Sequence, residues 1–257
     1  GTYNASIKAS APTEGGVGTC IGFFTYKEID ASHVEEIDVE ILSGKPGYVY
    51  FTVQGGETFR VPVRNQATTY HSYGFRWLDD RVEFYLDGSL AFGDAVTPGG
   101  TVCEDQVLTR TVPATTTVNI PTQQTTLRLN HWTGNVWAGN PPLSSVDAHV
   151  ESVEYVPNSG GSALGFSDEF DYSWPRSSTD PSENGLWRKR NDDLGPGPYP
   201  KVPSNAWTDG TELILRVTGR DTCEILGYAR EPDTTPIGSV VMSGLPGNPS
   251  TNTTGYY

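Results

Sequence analysis

The sequence predicts an all-β protein that forms one domain across residues 1–257. Glycine (29 residues), proline (19 residues) and an aromatic content of 11% are typical of short strands joined by tight turns. Several short runs alternate apolar and polar residues, and the chain contains no long amphipathic helix pattern. A length of 257 residues could hold two average domains, but β-sandwiches of this size often form one.

Alternating or apolar runs predict most of the strands in the first 156 residues. The opening run, residues 1–11, places Tyr3, Ala5 and Ile7 on one face. Asp87-Gly88 predicts a type I′ turn between two strands. The other strands are predicted at residues 19–26, 34–42, 48–53, 58–63, 70–77, 81–86, 89–92, 125–132 and 148–156.

Two segments lack this alternation. Residues 98–124 are polar and rich in threonine, which predicts a loop or an insertion over the sheet. Residues 157–165 (PNSGGSALG) have the composition of a linker. Residues 166–257 follow as a second block, with strands predicted at 211–217 and 239–242. The predicted single domain therefore consists of residues 1–156, a linker and residues 166–257.

The charge of the chain restricts its partners. A formal net charge of -14, with only 17 lysines and arginines, argues against a nucleic-acid or anionic-membrane partner, because phosphate binding needs a clustered basic surface. No apolar run is long enough to span a bilayer, and residues 1–7 do not form a signal peptide. We therefore expect a soluble monomer, and a neutral polymer as partner would tolerate this charge.

The cysteines and two glycosylation sequons bear on the compartment. Cys20, Cys103 and Cys223 are odd in number and lack metal-ligand spacing, so they can form at most one internal disulfide. Burial as small hydrophobic residues explains them equally well. The tripeptides Asn4-Ala5-Ser6 and Asn252-Thr253-Thr254 match the sequon and favour a secreted protein.

Residues 34–42 (VEEIDVEIL) predict a strand with three acids on one face. Because successive side chains of a strand point to opposite faces, Glu36, Asp38 and Glu40 share one face and the apolar residues between them share the other. Isolated carboxylates are costly on a packed sheet, and like charges this close drive their pKa values apart. The row therefore indicates a functional site rather than a solvated edge strand.

Three stretches together resemble glycoside hydrolase family 16. They are residues 36–40 (EIDVE), the block YHSYGFRW and VEFYLDG within residues 70–88, and LRLNHWTGNVWAG at residues 127–139. The resemblance implies a β-jelly-roll sandwich of the concanavalin type, with a concave sheet that binds sugars. It also implies a secreted glycosidase that acts on a polysaccharide and requires no cofactor.

The order of the matching blocks differs from the order in the family. Residues 166–170 (FSDEF) and 210–215 (GTELIL) resemble the family's beginning, yet they follow its usual end. Joining residue 257 to residue 1 gives TTGYYGTYNASIKAS, which resembles a strand of the family's inner sheet. The order predicts a circularly permuted chain in which residues 157–165 join the old ends. A natural permutation and an engineered linker both remain open.

The resemblance implies a role for each acid of the predicted strand. Glu36 corresponds to the nucleophile, Glu40 to the general acid/base, and Asp38 to the residue that orients Glu36 and helps to shift protons. Retaining hydrolysis needs two such carboxyl groups about 5–5.5 Å apart. The negative charges on Glu36 and Asp38 should raise the pKa of Glu40, so that Glu40 meets the substrate protonated.

The spacing of the acids favours one substrate class. Family members with one extra residue between the aspartate and the second glutamate carry a β-bulge there, and this chain lacks it. The uninterrupted spacing resembles licheninases, xyloglucan enzymes and fungal cell-wall transglycosylases more than laminarinases. We therefore expect endo-hydrolysis of a β-glucan, β-1,3-1,4-glucan in particular. A transglycosylase or β-1,3-glucanase of the same family, or a non-catalytic lectin-like module, are the alternatives.

Side chains near the matched stretches are candidates for binding sugars, because sugar rings stack on aromatic faces and sugar hydroxyls need polar partners. The candidates are Phe24, Tyr26, Asn130, Trp132 and Trp137. Core packing is an equal alternative for Phe24. The resemblance also suggests a structural calcium site on the convex face, with Asp147 as a ligand, as in some family members.

Overall fold

The computed structural model describes residues 1–13, 15–96, 111–134, 137–158, 165–178, 182, 185–189, 205–218 and 238–242. These residues form 18 strands and contain no α-helix. The strands are β1 (Thr2–Lys8), β2 (Cys20–Asp30), β3 (His33–Leu42), β4 (Tyr48–Val53), β5 (Thr58–Pro62), β6 (His71–Trp77), β7 (Val82–Leu86), β8 (Ser89–Leu90), β9 (Phe92–Val96), β10 (Thr111–Pro113), β11 (Thr115–Thr116), β12 (Thr126–Trp132), β13 (Val146–Val156), β14 (Phe166–Asp168), β15 (Trp187–Lys189), β16 (Ala206–Thr208), β17 (Leu213–Val217) and β18 (Gly238–Met242).

The strands make two nine-stranded sheets. Sheet I has the order β11-β7-β6-β1-β13-β17-β16, with β14 paired to β13 and β8 paired to β7. Sheet II has the order β10-β9-β5-β4-β3-β2-β12-β18-β15. All of the pairs between these strands are antiparallel. The predicted all-β sandwich of the jelly-roll kind is therefore confirmed.

The core lies between the two sheets. The three residues predicted to share one face of β1 are all buried, with at most 4% exposure. Aromatic rings connect the sheets: Phe51 of β4 stacks on Phe84 of β7 with 5.0 Å between ring centroids, and Phe23 of β2 lies 5.8 Å from Phe75 of β6. Alternation along each strand thus places one set of side chains in this core and leaves the opposite face of sheet II for other uses.

The strands of the second block lie in the same two sheets as those of the first. Strands β14, β16 and β17 belong to sheet I, whereas β15 and β18 belong to sheet II. Asp168 of β14 connects β14 to β15, because it accepts a hydrogen bond from the Trp187 indole (2.8 Å), and it also accepts one from the Phe170 amide (3.0 Å). Residues 159–164 and 243–257 lie outside the described residues, so the circular permutation stays a prediction.

One loop prediction is wrong in part. Within residues 98–124, which the sequence predicts as a loop, residues 111–116 contain the short edge strands β10 and β11. The threonines of this segment favour a strand. Because edge strands tolerate polar side chains and a proline such as Pro113, the segment lacks the alternation of apolar and polar residues that predicts a strand. In contrast, Asp87 and Gly88 both have positive φ (51° and 73°), as the predicted type I′ turn requires.

The predictions for the cysteines can be tested only in part. Cys20 is a free, fully buried thiol, whereas Cys103 and Cys223 lie outside the described residues. The disulfide question therefore stays open. Within the described segments, no helix is long and apolar enough to cross a membrane.

A buried histidine connects the sheets. His131 of β12 has 0% exposure, and its Nδ1 lies 3.0 Å from the Leu215 carbonyl of β17. Its Nε2 lies 2.9 Å from Thr19 Oγ1. Because a carbonyl only accepts, Nδ1 carries the proton and Nε2 accepts from the hydroxyl. Burial lowers the pKa of His131 to about 4, so the ring is neutral near pH 7.

The free energy of unfolding should therefore fall as the pH drops from 6.5 to about 4. In this range the unfolded chain protonates His131 and the native chain does not, which costs up to about 3 kcal/mol. We expect urea unfolding across this range to show a shallower pH dependence for His131→Asn than for the native protein. Parallel pH dependences in the two proteins would contradict the assignment.

Candidate active site

Strand β3 carries the acid row. Ile37, Val39 and Ile41 point into the core and are at most 1% exposed, whereas the three acids between them are only partly buried. The acids therefore lie on the face of sheet II that points away from sheet I, which we call the carboxylate face. This placement follows from the two-residue period of a strand.

Neighbouring strands surround the acid row with aromatic and polar side chains. On β2, Tyr26 pairs with Glu36, Phe24 with Asp38 and Gly22 with Glu40. On β4, Thr52 pairs with Asp38 and Tyr50 with Glu40. On β12, Arg128 lies beside Phe24, Asn130 beside Gly22, and Trp132 beside Cys20. Because cross-strand partners share a face, Phe24, Tyr26, Asn130 and Trp132 all belong to the carboxylate face.

Asp38 and Glu36 are joined by a hydrogen bond between their carboxyl groups. Burial, followed by the charges of Glu36 and Glu40, raises the pKa of Asp38 well above its ordinary value. Burial also raises the pKa of Glu36, but the hydrogen bond from Asp38 and the nearby Arg128 oppose that rise. The hydrogen bond therefore favours the proton on Asp38 over Glu36.

Glu40 is held through both of its carboxyl oxygens. The Trp137 indole donates to Oε2 at 3.0 Å, and the Cys20 thiol donates to Oε1 at 3.5 Å. Burial is the main cause that raises the pKa of Glu40 to about 7, and the charge of Glu36 adds to it. A carboxyl group with such a pKa is partly protonated near neutral pH and can act as an acid or as a base.

An apolar wall encloses this end of the row. Its buried members are Cys20, Leu42, Tyr50 and Ala138, against which Trp132 and Trp137 pack. Trp137 meets the Tyr50 ring edge to face with 4.7 Å between centroids. Lys45 Nζ lies over the Trp137 ring at 4.6 Å. The wall removes water from Glu40, which explains the raised pKa of this carboxyl group.

Asn130 presents an unused acceptor on the carboxylate face. Its Oδ1 is buried and has no hydrogen-bond partner among the described residues. The atom lies above Gly22, where an added Cβ would come within 2.5 Å of it. A side chain at position 22 would therefore displace the amide, whereas glycine leaves room for it. An amide oxygen in this state can accept a hydrogen bond from a ligand hydroxyl.

The aromatic residues that are predicted to bind sugars differ in how accessible their ring faces are. Trp132 and Phe24 are partly buried on the carboxylate face, and Phe23, the neighbour of Phe24, fills the core instead. The ring of Tyr26 lies below the Arg128 guanidinium, whose central carbon is 4.2 Å from the ring centroid. Stacking of a sugar on that side of Tyr26 would therefore require Arg128 to move.

Asp147, which is predicted as a calcium ligand, forms an ion pair in the structure. Arg216 donates to both carboxylate oxygens of Asp147, at 2.6 and 2.7 Å. No cluster of three or more histidines, cysteines or acids that could hold a metal occurs among the described residues. Asp147 thus serves a cross-strand ion pair between β13 and β17, and calcium binding stays an untested prediction.

Sequence reasoning missed several members of the site. Tyr50 and Lys45 lie outside the matched stretches, and Arg128 lies within residues 127–139 but is not among the predicted sugar-binding residues. The sequence predicts Cys20 only as a disulfide partner or a buried hydrophobic residue. Tyr50 and Arg128 could have been found by extending the two-residue period of β3 to β4 and β12. The contact between Cys20 and Glu40 depends on strand register, which the linear sequence does not specify.

The fold and the site together define a β-sandwich protein with a row of coupled carboxyl groups on one face, flanked by aromatic and amide side chains. Residues 1–93 match the family model described as glycosyl hydrolases family 16. The predicted resemblance to that family is therefore confirmed over this segment, which contains the whole acid row.

Several relatives share part of the sequence. A beta-glucanase of Acetivibrio thermocellus (strain ATCC 27405) is 28% identical over 164 residues, which cover 62% of this chain and 42% of the relative. The endo-1,3-1,4-beta-glycanase ExoK of Rhizobium meliloti (strain 1021) is 34% identical over 96 residues, or 35% of this chain and 34% of the relative. The chain spans less than half the length of these two curated relatives.

Solved structures also align with the chain. The Bacillus licheniformis beta-glucanase aligns with a TM-score of 0.45 and 23% sequence identity. The alignment covers 62% of this chain and 66% of that one.

The environment of Glu40 leads to a prediction about stability. Because the pKa of Glu40 is about 7 in the native protein and 4.5 in the reference state, the unfolded chain releases this proton more readily. Burial of the charge therefore destabilises the fold above pH 7. We expect Glu40→Gln to raise the free energy of unfolding at pH 8 by about 2 kcal/mol, as measured by urea unfolding.

At pH 4 the gain should disappear, because Glu40 is then protonated in both states. Glu154→Gln is the matched control, since Glu154 is exposed on β13 and its substitution removes the same charge. A surface change of this kind should alter the free energy of unfolding by no more than about 0.5 kcal/mol. An equal gain from both variants at pH 8 would contradict a specific burial cost at Glu40.

Proposed function

We propose that this protein is a retaining endo-glycosidase that cleaves a β-glucan, with Glu36 as nucleophile and Glu40 as general acid/base. The observation that carries the proposal is the arrangement of the acids on β3, where Glu36 is hydrogen-bonded to Asp38 and Glu40 to the Trp137 indole and the Cys20 thiol. In the proposed reaction Glu36, which accepts a hydrogen bond from Asp38, is the ionised member, and Glu40, whose pKa burial raises to about 7, is the protonated one. Double displacement requires this division between an ionised and a protonated carboxyl group.

The first step forms a covalent glycosyl-enzyme. A Glu36 carboxylate oxygen attacks the anomeric carbon, and the bond from that carbon to the leaving oxygen breaks. Glu40 transfers its proton to the leaving oxygen, so that the released chain ends in a neutral hydroxyl. In the second step Glu40, now ionised, takes a proton from water while the water oxygen displaces Glu36. The product keeps the original anomeric configuration.

Asp38 supports both steps without touching the broken bond. Its proton, shared with Glu36, keeps a third negative charge out of the row. Its hydrogen bond also fixes the direction of the Glu36 carboxylate. Asp38 therefore acts as a positioning residue for the nucleophile.

Mixed-linkage β-1,3-1,4-glucan is the substrate that we propose. The acid row has no bulge, since β3 pairs with β2 in unbroken register from Leu42 to Val34. The two curated relatives named above are a beta-glucanase and an endo-1,3-1,4-beta-glycanase. Trp132, Trp137, Phe24 and, once Arg128 moves aside, Tyr26 would stack on sugar rings. Asn130 would accept a hydrogen bond from a sugar hydroxyl. We propose secretion and a monomeric state with this polymeric substrate.

Incubation with barley β-glucan, laminarin, xyloglucan and carboxymethylcellulose tests the proposal. We expect short oligosaccharides from barley β-glucan, as measured by product sizing. Cleavage of laminarin alone would instead indicate a β-1,3-glucanase. Products longer than an added oligosaccharide acceptor would indicate transglycosylation. Slower migration of the protein in a gel that contains the polymer, without cleavage of that polymer, would indicate a lectin-like module and would refute the proposed activity.

Azide can separate the roles of the two glutamates. Replacing Glu36 by Ala removes the nucleophile, and replacing Glu40 by Ala removes the general acid/base, so turnover should fall at least ~100-fold in each variant. Azide fits the space left by a carboxyl group and needs no general base. With an activated aryl glycoside we expect an α-glycosyl azide from Glu36→Ala and a β-glycosyl azide from Glu40→Ala, as identified by NMR.

Glu35→Ala is the control for the azide experiment, because Glu35 is also an acid of β3 but hydrogen-bonds to the backbone of residues 122 and 123 instead. Azide should not rescue this variant. The reverse assignment of azide products would exchange the roles of Glu36 and Glu40.

A further inference from the structure

Glu40 receives hydrogen bonds from two very different side chains. Trp137 belongs to the loop after β12, whereas Cys20 is the first residue of β2. The Trp137 indole lies 3.0 Å from Oε2, and the Cys20 thiol lies 3.5 Å from Oε1. Cys20 has 0% exposure and forms part of the apolar wall.

We propose that Cys20 is a positioning residue for Glu40: its thiol holds Oε1 in place and adjusts the proton affinity of this carboxyl group. The inference rests on the proposed function in that Glu40 is the general acid/base of that reaction. It assigns a role to a residue that forms no part of the acid row.

The register of β2 explains why Cys20 reaches Glu40. Gly22 is directly opposite Glu40, and Cys20 is opposite Leu42, one step further along the same face. Gly22 has no side chain and leaves its space to the Asn130 amide. The side chain on β2 that contacts Glu40 is therefore the diagonal one, at a separation that cross-strand neighbours can bridge.

A thiol suits an acid that must change its protonation state. An indole N–H only donates, so Trp137 can stay paired with Oε2 whether or not Glu40 carries a proton. A thiol donates weakly and also accepts weakly, so Cys20 can donate to an ionised Oε1 and accept from a protonated one. A strong donor at this position would favour the carboxylate and oppose protonation of Glu40.

The surroundings of Cys20 point away from covalent chemistry. Burial, followed by the charge of Glu40, raises the pKa of the thiol well above its ordinary value. The reactive thiolate is thus disfavoured, and the apolar wall shields the sulfur from reagents. The contact with Glu40 is the chemistry that remains for this side chain.

Carbon-13 NMR of the glutamate carboxyl groups tests the inference without requiring catalysis. Glu40→Gln identifies the resonance of Glu40, which should titrate near pH 7 in the native protein. We expect Cys20→Ser to lower this titration point by about half a pKa unit, because a hydroxyl is a stronger donor. Cys20→Ala should raise the titration point by a similar amount, because it removes a donor to the carboxylate.

Opposite shifts from the two variants are the signature of the hydrogen bond, since a general packing defect would move both in the same direction. Ile21→Val is the matched control, because Ile21 is 1% exposed, adjoins Cys20 and faces the core. It should loosen the packing and leave the titration of Glu40 unchanged. Shifts of equal sign, or shifts no larger than that of Ile21→Val, would overturn the inference.

The native protein offers a second measurement if a Cys20 variant does not fold. The S–H stretching band in the infrared spectrum should shift as the pH passes through about 7, and the shift should be absent from Glu40→Gln. A band that does not respond to pH would overturn the role of Cys20.

Activity then separates the two proposals. In an active enzyme, the basic limb of the kcat/KM profile should move with the same sign as the NMR titration. If the protein cleaves no glycan but Cys20→Ser and Cys20→Ala shift the titration of Glu40 in opposite directions, the proposed function is refuted and the role of Cys20 is supported. If the protein is active but neither variant changes the titration of Glu40, the proposed function is supported and the role of Cys20 is refuted.

Discussion

Three carboxyl groups on alternate residues of one strand cannot all be ionised at such short range, and the carboxylate face is organised around that constraint. The repulsion is relieved by a proton on Asp38, which turns a like-charge contact with Glu36 into a hydrogen bond. Glu40 lies outside this hydrogen bond, and burial raises its pKa to about 7. One strand thereby holds carboxyl groups in different states because each has different neighbours.

The neighbours of these acids are supplied by packing. Trp137, Tyr50 and the rest of the apolar wall exclude water from Glu40, but Trp137 also donates to its Oε2. The first effect opposes ionisation and the second favours it. Packing and proton affinity are therefore connected at this site, and a change in the wall alters both. At the other end of the row, Arg128 provides a positive charge near Glu36.

The sequence is sufficient for those features that depend on local periodicity. A period of two residues assigns Glu36, Asp38 and Glu40 to one face, and Asp87-Gly88 marks its turn, because both patterns act over a few residues. Partners distant in the chain are harder to predict. Glu40 meets Trp137 across 97 residues, and Asp147 meets Arg216 across 69 residues. Such contacts arise from the register and order of strands, which local patterns do not encode.

The position of β3 inside sheet II has a mechanical consequence. Strand β3 is hydrogen-bonded to β2 on one edge and to β4 on the other, so its backbone has no free edge along the acid row. Backbone held in this way opens only at high free-energy cost. In the proposed reaction the backbone that carries the carboxyl groups thus stays in place while the polymer binds. A change of shape that the reaction needs therefore falls on the sugar ring at the cleaved bond. The energy for distorting that ring comes from binding of the polysaccharide on either side of it.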